Sequence, residues 1–245
     1  MRGRSTLAEL ATSPRKRHAL ELFSGLPGHY DRMGAVLSFG QDPRWRRALV
    51  AGLAPQPGER VLDVATGTGM VAFALAAQGC QVVALDQSDA MLGAARQKLS
   101  RQPGLADRVS FVRGEAEQLP FPDGHFDLLS FTYLLRYVDD RQATLAELVR
   151  VLRPGGRIGM LEFGVPPSPA LRSLWRLHTR RVLPALGRAV SPAWLEVGRF
   201  LGPNIEDFYA QEPDLAGLWR RAGIVQVVIR RMSFGAGLVM WGVKG

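Results

Sequence analysis

The residues best placed to do chemistry in this chain fall at three points. They are the acid and glycines of Asp63-Val64-Ala65-Thr66-Gly67-Thr68-Gly69, the carboxylate of Asp86, and the glutamates of Gly114-Glu115-Ala116-Glu117. A glycine loop at the end of an apolar run lets backbone come close to a ligand at the carboxyl edge of a sheet. Read on through Ala72, the loop also fits G-x-G-x-x-A, so a nicotinamide-dependent oxidoreductase competes for it. Asp63 weighs against that competitor: a pyrophosphate wants helix N–H groups and positive charge, whereas an acid suits a ligand bearing an ammonium and a sulfonium. Asp86 comes 17 residues after Gly69, where a carboxylate can accept both hydroxyls of an adenosine ribose, and Glu115 to Glu117 come where an adenine edge would lie. A dehydrogenase shares the second feature without requiring the others, and no tyrosine here has a lysine four residues on. Each acid also has a plain structural role open to it, Asp63 as a cap of the loop and Asp86 as a cap of the helix that follows.

The elements that must position these groups alternate. Apolar runs at 60–65, 81–85, 109–113, 126–131 and 157–163 predict buried strands, with helices over about 70–78 and from Ser88, as cap, to about Leu99. A further helix follows the fourth strand and ends at Arg153-Pro154-Gly155-Gly156. Short apolar runs separated by helices imply parallel pairing covered on both faces. The runs 224–231 and 235–243 stand only about three residues apart, which predicts a hairpin and hence an antiparallel strand. The expected fold is therefore α/β, a Rossmann-like doubly wound sheet of seven mostly parallel strands closing on an antiparallel hairpin. Residues 1–18 read as a basic tail, 19–53 as a helical cap, and 165–210 as an inserted lid on the single domain of 19–245.

Hydrophobic residues make up 47% of the 245 and charged residues 22%, the composition of an ordinary globular chain. No apolar run is long enough to span a bilayer, and none follows the basic start, so a secretory signal is not expected. With Cys80 alone and His18, His29, His125 and His178 scattered, neither a disulfide nor a metal site is expected. These features point to a cytoplasmic protein. The formal net charge of +9 leaves open a polyanionic partner or a merely solubilising surface.

Taken with Phe23 through His29-Tyr30-Asp31, Leu37-Ser38-Phe39-Gly40, Leu119-Pro120-Phe121-Pro122-Asp123, Leu135-Arg136, Val151 through Arg157, and Leu161-Glu162-Phe163, the chain resembles the C-methyltransferases of ubiquinone and menaquinone biosynthesis. The resemblance runs from about residue 20 to the end. It implies an S-adenosyl-L-methionine cofactor lined by Thr68, Asp86, Glu115, Ala116 and Thr132. The wider class pattern adds Asp63, Gly67 and Gly69, with Thr66 and Gln87 beside them and Met91 against the adenine. The implied activity is transfer of a methyl group to the ring of a polyprenylated quinol such as demethylmenaquinol. Another lipid or small hydrophobic metabolite is the alternative, and an RNA acceptor is a distant one, since no appended RNA-binding module or Pro-Pro-aromatic signature is present.

Three stretches depart from the family. Glu115-Ala116 replaces an asparagine-alanine pair, Tyr133 to Tyr137 alters the run around Arg136, and Met240-Trp241-Gly242 and the segment Trp194 to Phe200 suggest an acceptor pocket rebuilt with bulkier groups. Arg136 stays protonated and so is no base, but it can stabilise a developing phenolate, directly or through water; its alternative is an ion pair with Asp139 or Asp140. Tyr30 and His29 are the candidates to close the site from the N-terminal side, His29 as a proton acceptor. Between Val165 and Leu195 five arginines occur with no acid. A helical projection sets Arg172, Arg176 and Arg180 against Leu171, Leu174, Trp175, His178 and Val182, which predicts either peripheral contact with an anionic membrane at its inner face or a solvated lid helix.

Overall fold

The computed structural model describes residues 34–35 and 38–245. The tail at 1–18, positions 19–33 and 36–37 of the expected cap, and with them His29 and Tyr30, lie outside the described residues. Seven strands form one sheet: β1 (Arg60–Val64), β2 (Gln81–Asp86), β3 (Val109–Arg113), β4 (Phe126–Thr132), β5 (Leu152–Phe163), β6 (Ile224–Met232) and β7 (Gly237–Lys244). Their order is β3-β2-β1-β4-β5-β7-β6. Pairs among β1 to β5 are parallel, and β7 runs antiparallel to both β5 and β6. The expected sheet and its closing hairpin are therefore observed.

The apolar runs are strands because successive side chains go to opposite faces and both faces are covered. Leu62, Leu129 and Phe131 enter one core with Phe208, Leu218 and Trp219, while Val61, Leu128 and Leu161 enter the other with Trp45, Leu49 and Leu75. The helices on the second side include α1 (Asp42–Leu53) and α2 (Met70–Ala76). Helices α3 (Asp89–Leu99) and α4 (Arg141–Arg150) are started by Ser88 and Asp140, whose side chains accept from the N–H groups of Met91 and Ala143. One boundary differs from expectation: β5 begins at Leu152, so Arg153-Pro154-Gly155-Gly156 belongs to the strand. The β4–β5 register jumps from Phe126↔Leu152 to Leu128↔Arg157, and the turn residues loop out inside the ladder.

After β5 come α5 (Pro169–Leu177), a π-helical turn (His178–Val182), α6 (Leu183–Val190), α7 (Pro192–Gln211) and α8 (Leu215–Arg221). Helices α6 and α7 meet backbone to backbone, since a Cβ on Gly198 would stand 2.9 Å from the Cα of Pro184. The last strand in the order, β6, is an edge. Its ladder to β7 breaks between Val225 and Val228, and Gln226 within the break has φ +51°.

Candidate active site

The glycine loop leaves β1 at the carboxyl edge of the sheet. Gly67 takes φ +56°, and its N–H donates to Asp86 Oδ2 at 2.8 Å. The other oxygen of Asp86 accepts from the Ser88 N–H at 2.9 Å. Burial pushes the Asp86 carboxyl above the usual carboxylate range, an effect these N–H groups partly offset. Asp63 is buried deeper, its oxygens accepting from the hydroxyls of Thr66 and Ser130, each at 2.6 Å. Desolvation raises it from its ordinary 3.8 to about 6 against those hydrogen bonds. Asp63 thus ties the loop after β1 to the middle of β4.

A cavity runs along this edge. At the β2–β3 end its wall is Asp86, Gln87, Met91, Gly114, Ala116 and Glu117, and at β1–β4 it is Ala65, Gly67, Thr132 and Tyr133. Beyond β4 the wall turns apolar, with Tyr137, Val138 and Phe163 facing Trp194, Val197 and Leu201 of α7. From α1 come Asp42, Pro43 and Arg46.

Of the residues expected from sequence, the structure brings Gly67, Asp86, Gln87, Met91, Ala116, Thr132 and Arg136 into this wall. Asp63, Thr66, Thr68 and Gly69 stand behind it, buried in the loop. Glu115 is exposed and bridges to Gln118, and the acid facing the cavity is its neighbour Glu117. Met240, Trp241 and Gly242 are outside the wall as well: Trp241 packs over Gly52 of α1, and Met240 pairs with Met160. Of the two stretches, the one in α7 reaches the wall, through Trp194 and Val197, and the one in β7 does not.

Arg136 is 1% exposed. It pairs with neither Asp139 nor Asp140; Asp140 caps α4 instead. Its Nε donates to Glu162 Oε1 at 2.8 Å and its Nη1 to Asn204 Oδ1 at 2.7 Å, and its guanidinium carbon lies 4.9 Å from the Tyr137 ring centre. Burial works against the charge of Arg136, but the Glu162 carboxylate holds its pKa above the ordinary guanidinium value. Burial pushes Glu162 upward, and Arg136 offsets part of that. Among the described residues Glu162 Oε2 has no hydrogen-bond partner. Sequence reasoning assigned no role to Glu162 or Asn204, although an acid inside the apolar run Met160 to Phe163 and an amide between Leu201 and Ile205 were visible signals of a buried polar pair. Asp42 and Arg46 carried no such signal, since an acid and an arginine in the first turns of a helix read as ordinary end charges.

The sheet order, the carboxylate on the loop N–H at β2 and the apolar, acid-edged wall at β3 define a class I methyltransferase. The donor set fits S-adenosyl-L-methionine, with an acid for the ribose and Met91 and Ala116 for a flat base. A family model described as the ubiE/COQ5 methyltransferase family matches residues 12–244. The chain belongs to this family and is an S-adenosylmethionine-dependent methyltransferase. It is 39% identical over 97% of its length to a demethylmenaquinone methyltransferase of Clavibacter sepedonicus, covering 94% of that protein. It is 36% identical to a ubiquinone/menaquinone biosynthesis C-methyltransferase of Geobacter sulfurreducens, over 92% of this chain and 88% of the other. A solved S-adenosylmethionine-dependent methyltransferase from Thermotoga maritima shares the fold at TM-score 0.60 and 20% identity, over 92% of this chain and all (100%) of that one.

Proposed function

We propose that this enzyme methylates a ring carbon of a polyprenylated quinol, with demethylmenaquinol as the acceptor. The observation that carries the reading is the apolar half of the cavity, which continues directly from the cofactor half and holds a buried guanidinium in its wall. The names of the relatives support the same acceptor. The bound cofactor supplies an electrophilic methyl group. The residues of this chain supply alignment: Asp86 and Gly67 hold the nucleoside end, while Tyr137, Phe163, Trp194, Val197 and Leu201 hold a flat apolar ring and exclude water. Arg136 stabilises the phenolate that forms when the quinol hydroxyl loses its proton, and so raises electron density at the adjacent carbon. Helix α7, which lies in the expected lid at 165–210, closes the acceptor half with Trp194, Val197 and Leu201. Transfer of labelled methyl into demethylmenaquinol, with total RNA as control, tests the proposal: label in the quinol alone is expected, and label in RNA alone would replace it.

A polyprenyl tail needs an apolar place to stay, and the second part of the proposal is that α5 and α6 rest on an anionic bilayer. The face proposed differs from the sequence projection. Trp175 and His178 turn inward, while Arg176 and Arg180 are bound to Glu206 at 2.6 Å each. What remains outward is a row of Leu171, Leu174, Leu177, Val182, Leu186 and Val190, all more than a third exposed. The five-residue step from Leu177 to Val182 spans the π-helical turn, whose wider winding keeps the row on one side. Exposed Arg181 and Arg188 stand beside it in sequence. No helix among the described residues is long and apolar enough to cross a membrane. Leu174→Ser with Leu177→Ser is expected to lower co-sedimentation with phosphatidylglycerol vesicles several-fold at low salt; unchanged sedimentation would remove α5 from the contact.

A further inference from the structure

The two strands of the closing hairpin are joined by a turn, Ser233–Gly235, at the carboxyl edge of the sheet, the edge along which the cavity runs. Gly237, which opens β7 just after this turn, pairs with Phe163 of the cavity wall. The hairpin therefore closes about one strand spacing, roughly 5 Å, from a wall residue. At its tip Phe234 is 82% exposed, more than any other large apolar side chain among the described residues.

A single exposed apolar side chain is ordinary on a protein surface. The backbone beneath this one is not. Ser233, Phe234 and Gly235 take φ +48°, +57° and +96° in succession, and left-handed backbone is unfavourable for a bulky residue. Such a conformation persists only where its surroundings over-determine it. Trp45 of α1, 1% exposed, donates its indole N–H to Ser233 Oγ at 2.9 Å. The Gly164 N–H donates to the Ala236 carbonyl at 2.9 Å, and a Cβ on Gly235 would meet Pro167 Cδ at 2.7 Å. The turn is clamped between a core helix and the loop that leads into α5, and the clamp holds the Phe234 ring outward.

Two features choose what the ring meets. Exposed Arg230 and Arg231 lie at the end of β6, just before the turn. Arg231 also lines a surface groove with Val165, Pro167, Arg172 and Arg176, where the cations outnumber the acids Glu206 and Asp207. A basic rim beside an exposed apolar ring suits an anionic lipid surface. The loop clamped against Gly235 also opens α5, whose outward row begins at Leu171.

We propose that Phe234 is a second membrane anchor, inserted at the boundary between headgroups and acyl chains of an anionic bilayer, and that it brings the cavity edge of the sheet against the lipid that holds the acceptor. The proposal rests on the membrane reading above and adds to α5 and α6 a contact from the β6–β7 turn.

Phosphatidylglycerol vesicles at low salt, with the full chain carrying Phe234→Ala or Phe234→Trp, test it. Burying a phenylalanine ring in apolar surroundings corresponds to roughly 10-fold in partitioning. Phe234→Ala is expected to lose that factor in co-sedimentation. Its titration with S-adenosylhomocysteine should stay within about twofold of the wild type, because an exposed side chain outside the cavity leaves the fold intact. Phe234→Trp is expected to keep the partitioning and to be quenched by lipids brominated on their acyl chains, beyond the quenching of the wild type. Wild-type partitioning by Phe234→Ala, or no added quenching in Phe234→Trp, would overturn the anchor and leave α5 and α6 on the membrane. A wild type that does not sediment would remove the membrane reading and the anchor with it. Self-association in lipid-free solution that Phe234→Ala abolishes would assign the ring to a second copy of the chain and overturn the proposal as well.

Discussion

Replacing Arg136 by methionine is expected to lower kcat for quinol methylation by roughly 100- to 1000-fold, the usual consequence of deleting a donor that stabilises a developing oxyanion. The affinity for S-adenosylmethionine should stay within about twofold, because Arg136 lies on the acceptor side of Thr132 and Tyr133 in the cavity wall. Arg136→Lys keeps the charge but cannot reproduce the two directed contacts to Glu162 Oε1 and Asn204 Oδ1, so it should recover little. Steady-state rates with demethylmenaquinol, set beside an equilibrium titration with S-adenosylmethionine, separate the two effects. An unchanged kcat would end the proposed role, and a parallel collapse of cofactor binding would make Arg136 a support of the whole site.

Glu162→Ala should be the most destabilising substitution in the site, by about 3–5 kcal/mol, because it strands a buried guanidinium beside one neutral amide. Arg136→Met should cost less. The abandoned Glu162 can take up a proton, toward which burial already pushes it, whereas a guanidinium cannot give one up. Replacing both partners with apolar residues should return most of the loss. Denaturant midpoints of the two single variants and the double variant test this ordering. A Glu162→Ala loss under about 1 kcal/mol would show that the ion pair contributes little net stability.

Much of this was legible in the chain. The strands over 60–65, 81–85 and 109–113 follow from apolar runs with turn residues between them, a local pattern that the parallel sheet then rewards on both faces. The closing hairpin was readable from spacing alone, and a cavity edge beside β1 and β2 from the Asp63 to Gly69 loop and Asp86. What could not be read was depth and direction. Asp63 and Asp86 look alike in sequence, yet one is sealed behind the loop by Thr66 and Ser130 while the other faces the cavity. Glu115 and Glu117 differ only in which of two neighbours turns inward. The partner of Arg136 was sought in the following loop, but the parallel β4–β5 register carries Glu162 to it, a contact made across 26 residues. Helical projection failed at Trp175 and His178, since it treats the segment as one regular helix and cannot anticipate the π-helical turn or the packing of α7 beneath it.

The break in β6 bears on molecules that have not yet met. An edge strand with Val225, Val228 and Ile229 each more than 40% exposed would, if flat, present a row of unpaired backbone groups on which a second chain could add a strand, and a third on the second. Gln226, turned left-handed where the ladder lapses, spoils that template. Arg230 and Arg231 add like charge to any copy that approaches in register. The irregularity forgoes hydrogen bonds within one molecule, and it protects a crowded solution of such molecules from edge-to-edge aggregation.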